Sequence, residues 1–107
     1  MIREVGSMDE LHSILKEAGD TLVVVYFTAT LCGPSLMIAP LFAKLSEKPE
    51  NKNVIFLKVD VNEVADLGLM YEIKITPTFH FYKNGLQVND FSGAFGSKLE
   101  ELLADLR

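Results

Sequence analysis

Apolar positions change their period several times along this chain, and each change marks an element. Ile2 to Val5 is a short strand candidate. Ser7-Met8-Asp9-Glu10 has capping-box spacing, and Met8, Leu11, Ile14 and Leu15 follow at helical intervals. Gly19-Asp20 ends that helix. Leu22-Val23-Val24-Val25-Tyr26-Phe27 is unbroken, β-branched and aromatic, which suits a central strand covered on both faces. Ser35 to about Lys48 predicts a helix whose apolar residues Leu36, Met37, Ala39, Leu41, Phe42 and Leu45 nearly encircle its start, so that end should be buried. Pro40 lies inside it and predicts a kink, because its ring removes a hydrogen bond and crowds the preceding turn.

The second half continues in the same way. Pro49 to Asn53 is a polar loop, Val54 to Val61 a second buried strand, and Asn62 the expected cap of a short helix reaching about Tyr71. Thr78 to Tyr82 and Gln87 to Phe91 are strands around Lys83-Asn84-Gly85, whose Asn-Gly pair signals a hairpin. Ser97-Lys98-Leu99-Glu100 is a second capping box, launching a helix with Leu99, Leu102, Leu103 and Leu106 on one core face. The order βαβαβαββα requires an α/β fold with a mixed sheet and helices on both faces. No repeat, low-complexity tract or linker intervenes, so residues 1–107 read as one domain.

Composition narrows the partners. A chain of 107 residues can build a core without disulfide or metal staples. Its net charge of −5, with no basic block longer than a pair, argues against nucleic acid or an anionic membrane as a partner. The longest apolar run, Leu22 to Phe27, falls far short of the roughly 20 residues of a membrane helix. Residues 1–10 have no apolar core and carry early acids, unlike a secretory signal, so a cytosolic (cytoplasmic) address is expected. A single cysteine excludes a disulfide framework and a multi-cysteine zinc site. With only His12 and His80 besides, neither metal nor cofactor is expected.

That cysteine lies in Thr28-Ala29-Thr30-Leu31-Cys32-Gly33-Pro34-Ser35. Together with Leu22-Val23-Val24-Val25, Lys58-Val59-Asp60-Val61, Ile75-Thr76-Pro77-Thr78-Phe79 and Phe91-Ser92-Gly93-Ala94, and with the spacing between them, it resembles the thioredoxin family over essentially the whole chain. The resemblance implies the thioredoxin fold, a central mixed five-stranded sheet flanked by four helices. It also implies a cis Thr76-Pro77 bond facing the cysteine motif. Family chemistry has two halves. A first cysteine attacks a disulfide as thiolate and forms a mixed disulfide, and a second cysteine then releases the partner.

Set on that pattern, Cys32 occupies the attacking position and Ser35 the resolving one. Tyr26 stands where the family has a buried aspartate, with the nearby lysine retained as Lys58. Leu31 replaces the tryptophan, and Asn62 replaces its acidic partner. These losses are coupled, which favours a naturally divergent chain over a single laboratory replacement. Cys32 precedes a helix N-terminus, where unpaired N–H groups and the helix dipole favour thiolate. Ser35 is too weak an acid and nucleophile to open a disulfide. Two structural roles stay open for it: a helix cap, or a hydrogen bond to Cys32. Tyr26 is expected in the core with its hydroxyl on a partner such as Lys58. His80 alternates with Phe79 and Phe81, pointing away from one packed layer, and is not expected to serve Cys32 as a base.

Two functions compete. One is monothiol redox chemistry: Cys32 forms mixed disulfides with proteins carrying disulfides or reactive thiols, and an external thiol such as glutathione resolves them. The other is redox-inactive docking of extended segments on a groove of Leu31, Gly33, Pro34, Ile75, Thr76 and Pro77, with Gly93 beside it. Monothiol glutaredoxins carry Cys-Gly-Phe-Ser, and Pro34 departs from that motif, so iron–sulfur cluster binding is not expected. A monomer is expected, with Cys32 as the one route to a disulfide-linked dimer.

Overall fold

The computed structural model describes residues 1–107. Its five strands are β1 (Ile2–Glu4), β2 (Val23–Thr28), β3 (Ile55–Asp60), β4 (Thr78–Lys83) and β5 (Leu86–Ser92). They form one sheet in the order β1-β3-β2-β4-β5. β3 runs parallel to both β1 and β2, while β4 is antiparallel to β2 and β5. The helices are α1 (Met8–Ala18), α2 (Gly33–Ser46), α3 (Ala65–Met70) and α4 (Gly96–Leu106), with one 3₁₀ turn at Pro49–Asn51. This is the mixed five-stranded sheet with four helices that the sequence implies. No helix is long and apolar enough to cross a membrane.

Strand alternation divides the core into two layers. Val24 and Tyr26 of β2, Phe56 of β3, and Phe79 and Phe81 of β4 pack with Ile38, Phe42 and Leu45 of α2 and Leu99, Leu102 and Leu103 of α4. Val23, Val25 and Phe27, with Leu57, Val59 and Tyr82, meet Leu11, Ile14 and Leu15 of α1 and Leu67 of α3 on the other side. Every residue of β2 is therefore buried, which is why its sequence does not alternate.

Several local expectations are corrected. The Ser7 hydroxyl accepts from Glu10 N–H at 3.1 Å, but the Glu10 carboxylate accepts from Gly6 N–H and Arg3 instead of closing the box on Ser7. α2 begins at Gly33, two residues before Ser35, because Pro34 suits a first turn where its missing N–H is not needed. Pro40 lies inside α2 as expected, and the helix ends at Ser46, two residues short of Lys48. Asn62 does not cap α3. Its N–H donates to the Asp60 carboxylate at 2.8 Å, in a turn that also brings Glu63 and Val64 N–H onto Asp60 O, and α3 starts only at Ala65.

Ser97 likewise is no cap. α4 starts at Gly96, with Phe95 at the cap position, and packs so closely that a Cβ on Gly96 would sit 2.7 Å from Leu41 Cδ2. The hairpin turn is the two residues Asn84 and Gly85, with φ 54° and 75°, both left-handed as a type I′ turn requires.

Phe42 is fully buried among the rings of Tyr26, Phe56 and Phe79, with centroids 5.0–5.7 Å away. Phe42→Ala is expected to lower unfolding free energy by about 3–5 kcal/mol in urea titration. Met37→Ala, on the exposed side of the same helix, should stay within about 0.5 kcal/mol of the parent. Equal effects from the two would contradict the layer assignment.

Candidate active site at Cys32

Beyond β2 the chain turns through Ala29 to Leu31, where Cys32 N–H donates to Ala29 O at 3.2 Å. Leu31 takes a left-handed φ of 65° and is 88% exposed. Cys32 is then the N-cap of α2, half-buried, and its side chain makes no capping bond. Its sulfur instead faces the Thr76-Pro77 segment, whose peptide bond is cis. Thr76 Oγ1 donates to Cys32 Sγ at 3.1 Å, and the thiol donates to Thr76 O at 3.4 Å.

The segment opposite is firmly held. Thr78 Oγ1 donates to Ile75 O at 2.6 Å and pairs with Ser92 Oγ at 2.7 Å, while Gly93 N–H donates to Pro77 O at 2.8 Å. Gly93 has φ 107°, and a Cβ there would lie 2.4 Å from the Phe95 ring, so only glycine fits. Of the groove residues named from sequence, Leu31, Gly33, Pro34 and Ile75 are exposed and Thr76 and Gly93 half-buried, but Pro77 itself is buried.

Ser35 takes neither role expected of it. It lies inside the first turn of α2, fully buried, and its hydroxyl points at β2 instead of Cys32. Ser35 Oγ pairs with Tyr26 OH at 2.9 Å and with Thr28 Oγ1, and Tyr26 OH also donates to Ser35 O at 2.6 Å. Tyr26 and Lys58 are register partners across β2 and β3, yet the phenol bonds to Ser35 and not to Lys58. Thr28 was not singled out by sequence reasoning. The available signal was its period-two relation to Tyr26, which puts both on the α2 face. The sequence alone places Thr76 in the groove but does not show its hydroxyl meeting Cys32 Sγ.

The Thioredoxin family model matches residues 4–106. The chain belongs to the thioredoxin family of redox proteins. It is 47% identical to the thioredoxin of Ictalurus punctatus over 105 residues, 98% of either chain. Against the thioredoxin of Homo sapiens it is 47% identical over 106 residues, 99% of either chain. The X-ray structure of Fasciola hepatica thioredoxin superposes with a TM-score of 0.93 at 35% identity, covering 98% of this chain and 99% of that one. Within the thioredoxin frame this chain is a single-cysteine variant, with Cys32 its one thiol.

His80 stands apart from this site. Its ring is buried in the α1/α3 layer, edge-on to Phe27 at 4.9 Å, with Nδ1 3.1 Å from Tyr82 OH. Burial pushes its pKa below the ordinary histidine value, opposed by Asp90 across the strand pair. The unfolded chain therefore binds the proton more readily than the folded one. His80 costs no stability above its unfolded value of about 6.5, and stability is lost as pH falls below that value toward the depressed folded one. Urea midpoints should drop through this range in the parent and less so in His80→Gln.

A second expectation concerns Thr76. Thr76→Val keeps the shape but removes the donor to Cys32 Sγ, and should slow iodoacetamide alkylation at neutral pH about fivefold, equivalent to about 1 kcal/mol. An unchanged rate would mean that the hydroxyl contributes nothing to the thiolate.

Proposed function

We propose that this thioredoxin-family chain captures disulfide-bearing proteins as mixed disulfides on Cys32 and depends on an external thiol for release. The observation that carries this reading is the opposition of the two halves of the site. Cys32 Sγ is held between the Thr76 hydroxyl and carbonyl, while the hydroxyl at the resolving position is bound to Tyr26 and Thr28. In the capture step Cys32 thiolate attacks one sulfur of the partner's disulfide. A new Sγ–S bond forms, the old S–S bond breaks, and the other partner sulfur leaves as thiolate and takes up a proton. An outside thiolate, glutathione being the common cellular choice, then attacks the mixed disulfide and frees Cys32. The number of disulfide bonds is unchanged at each step.

A second reading has its own support. Leu31 is 88% exposed and Ile75 61% exposed, and they flank Cys32 in a way that suits docking of an extended segment without covalent chemistry. The two readings separate in one experiment. Incubation with a disulfide-containing peptide, followed by intact-mass analysis without reductant, should show one adduct on Cys32 that persists until a thiol is added. Insulin reduction in the absence of added thiol should not turn over. Failure to form any adduct, with peptide binding retained in Cys32→Ser, would replace capture by docking.

A further inference from the structure

The hydroxyl triad beneath Cys32 has one internally consistent direction. Tyr26 has a single O–H, which donates to Ser35 O at 2.6 Å, so its oxygen accepts from Ser35 Oγ at 2.9 Å. With that proton committed, Ser35 Oγ accepts from Thr28 Oγ1. All three residues are sealed from solvent, at 3%, 5% and 0% exposure for Tyr26, Thr28 and Ser35, so water cannot take over a lost bond.

We infer that Tyr26 and Thr28 are positioning residues for Cys32, acting through Ser35. The inference rests on the Cys32 chemistry proposed above. Ser35 lies in the first turn of α2, and the same turn is joined to Cys32 by the Leu36 N–H bond to Cys32 O at 2.9 Å. Tying Ser35 to β2 therefore sets how that turn sits on the sheet. β2 is also the reference for the other half of the site. Phe27 is the register partner of Thr78, and Tyr26 that of Phe79, so the β2–β4 ladder locates the Thr76-Pro77 segment that leads into β4.

The Tyr26 ring joins both halves directly, with its centroid 5.0 Å from Phe42 on α2 and 5.2 Å from Phe79 on β4. The 3.1 Å contact of Thr76 Oγ1 with Cys32 Sγ is the meeting point of two arms that share one anchor. The serine is thus a working part of the site and not an emptied thiol position.

The test uses Tyr26→Phe, which keeps the ring and deletes both phenol bonds, with Thr28→Val and Ser35→Ala as companions. Each variant is checked for folding by circular dichroism and urea titration. Cys32 alkylation by iodoacetamide is then followed across the neutral pH range. Tyr26→Phe should slow alkylation about fivefold, and the double variant with Ser35→Ala should lose clearly less than the product of the two single effects, since the Tyr26–Ser35 bond is shared between them. A folded Tyr26→Phe with the parent's rate and profile would overturn the inference, as would independent, multiplying effects of the two changes. Should Tyr26→Phe not fold, Thr28→Val decides by the same criterion. A parent that alkylates at Cys32 but forms no peptide adduct would count against the capture reading alone.

Discussion

The placement of β2 between β3 and β4 is the constraint on which the rest of the structure depends. All six of its residues are buried, one edge is hydrogen-bonded to a parallel neighbour and the other to an antiparallel one. Val24 and Tyr26 hold α2 and α4 on one face, and Val23, Val25 and Phe27 hold α1 and α3 on the other. A strand in this position leaves no backbone group unpaired and no face free. At its C-terminal end the chain leaves the sheet, turns through Leu31 and presents Cys32 at the start of α2.

The site inherits its geometry from that strand. The sulfur meets Thr76 because α2 and the Thr76-Pro77 segment are both referenced to β2. What distinguishes this member of the family lies in the chemistry beneath the sulfur. Three hydroxyls fill the space there, where the family pattern has an aspartate and a second thiol. Such a network holds its shape through hydrogen bonds alone and supplies neither a nucleophile nor a carboxylate base. Of the two thiols in the family pattern, only the first, Cys32, is present in this chain.

Much of this was legible in the sequence, for physical reasons that differ by element. The β2 run, the Asn84-Gly85 turn and the leucines of α4 declare themselves because burial and left-handed φ demand particular residue types. Helix starts were less legible. Asn62 and Ser97 have capping side chains, yet the Asp60 turn and the close packing of Gly96 on Leu41 moved the starts of α3 and α4 elsewhere. A competing local turn displaces the cap at Asn62, and packing against α2 displaces it at Ser97.

By itself the sequence determined a mixed sheet with helices on both faces through its periodicity, the thioredoxin fold through its resemblance to the family, and the impossibility of an internal disulfide through a count of one cysteine. Only the tertiary structure decided which hydroxyl meets which. That Ser35 faces Tyr26 and Thr28, that Thr76 donates to Cys32, and that His80 is sealed against Phe27 depend on the stacking of elements far apart in sequence. Short polar side chains have several partners within reach along the chain. Packing leaves them one.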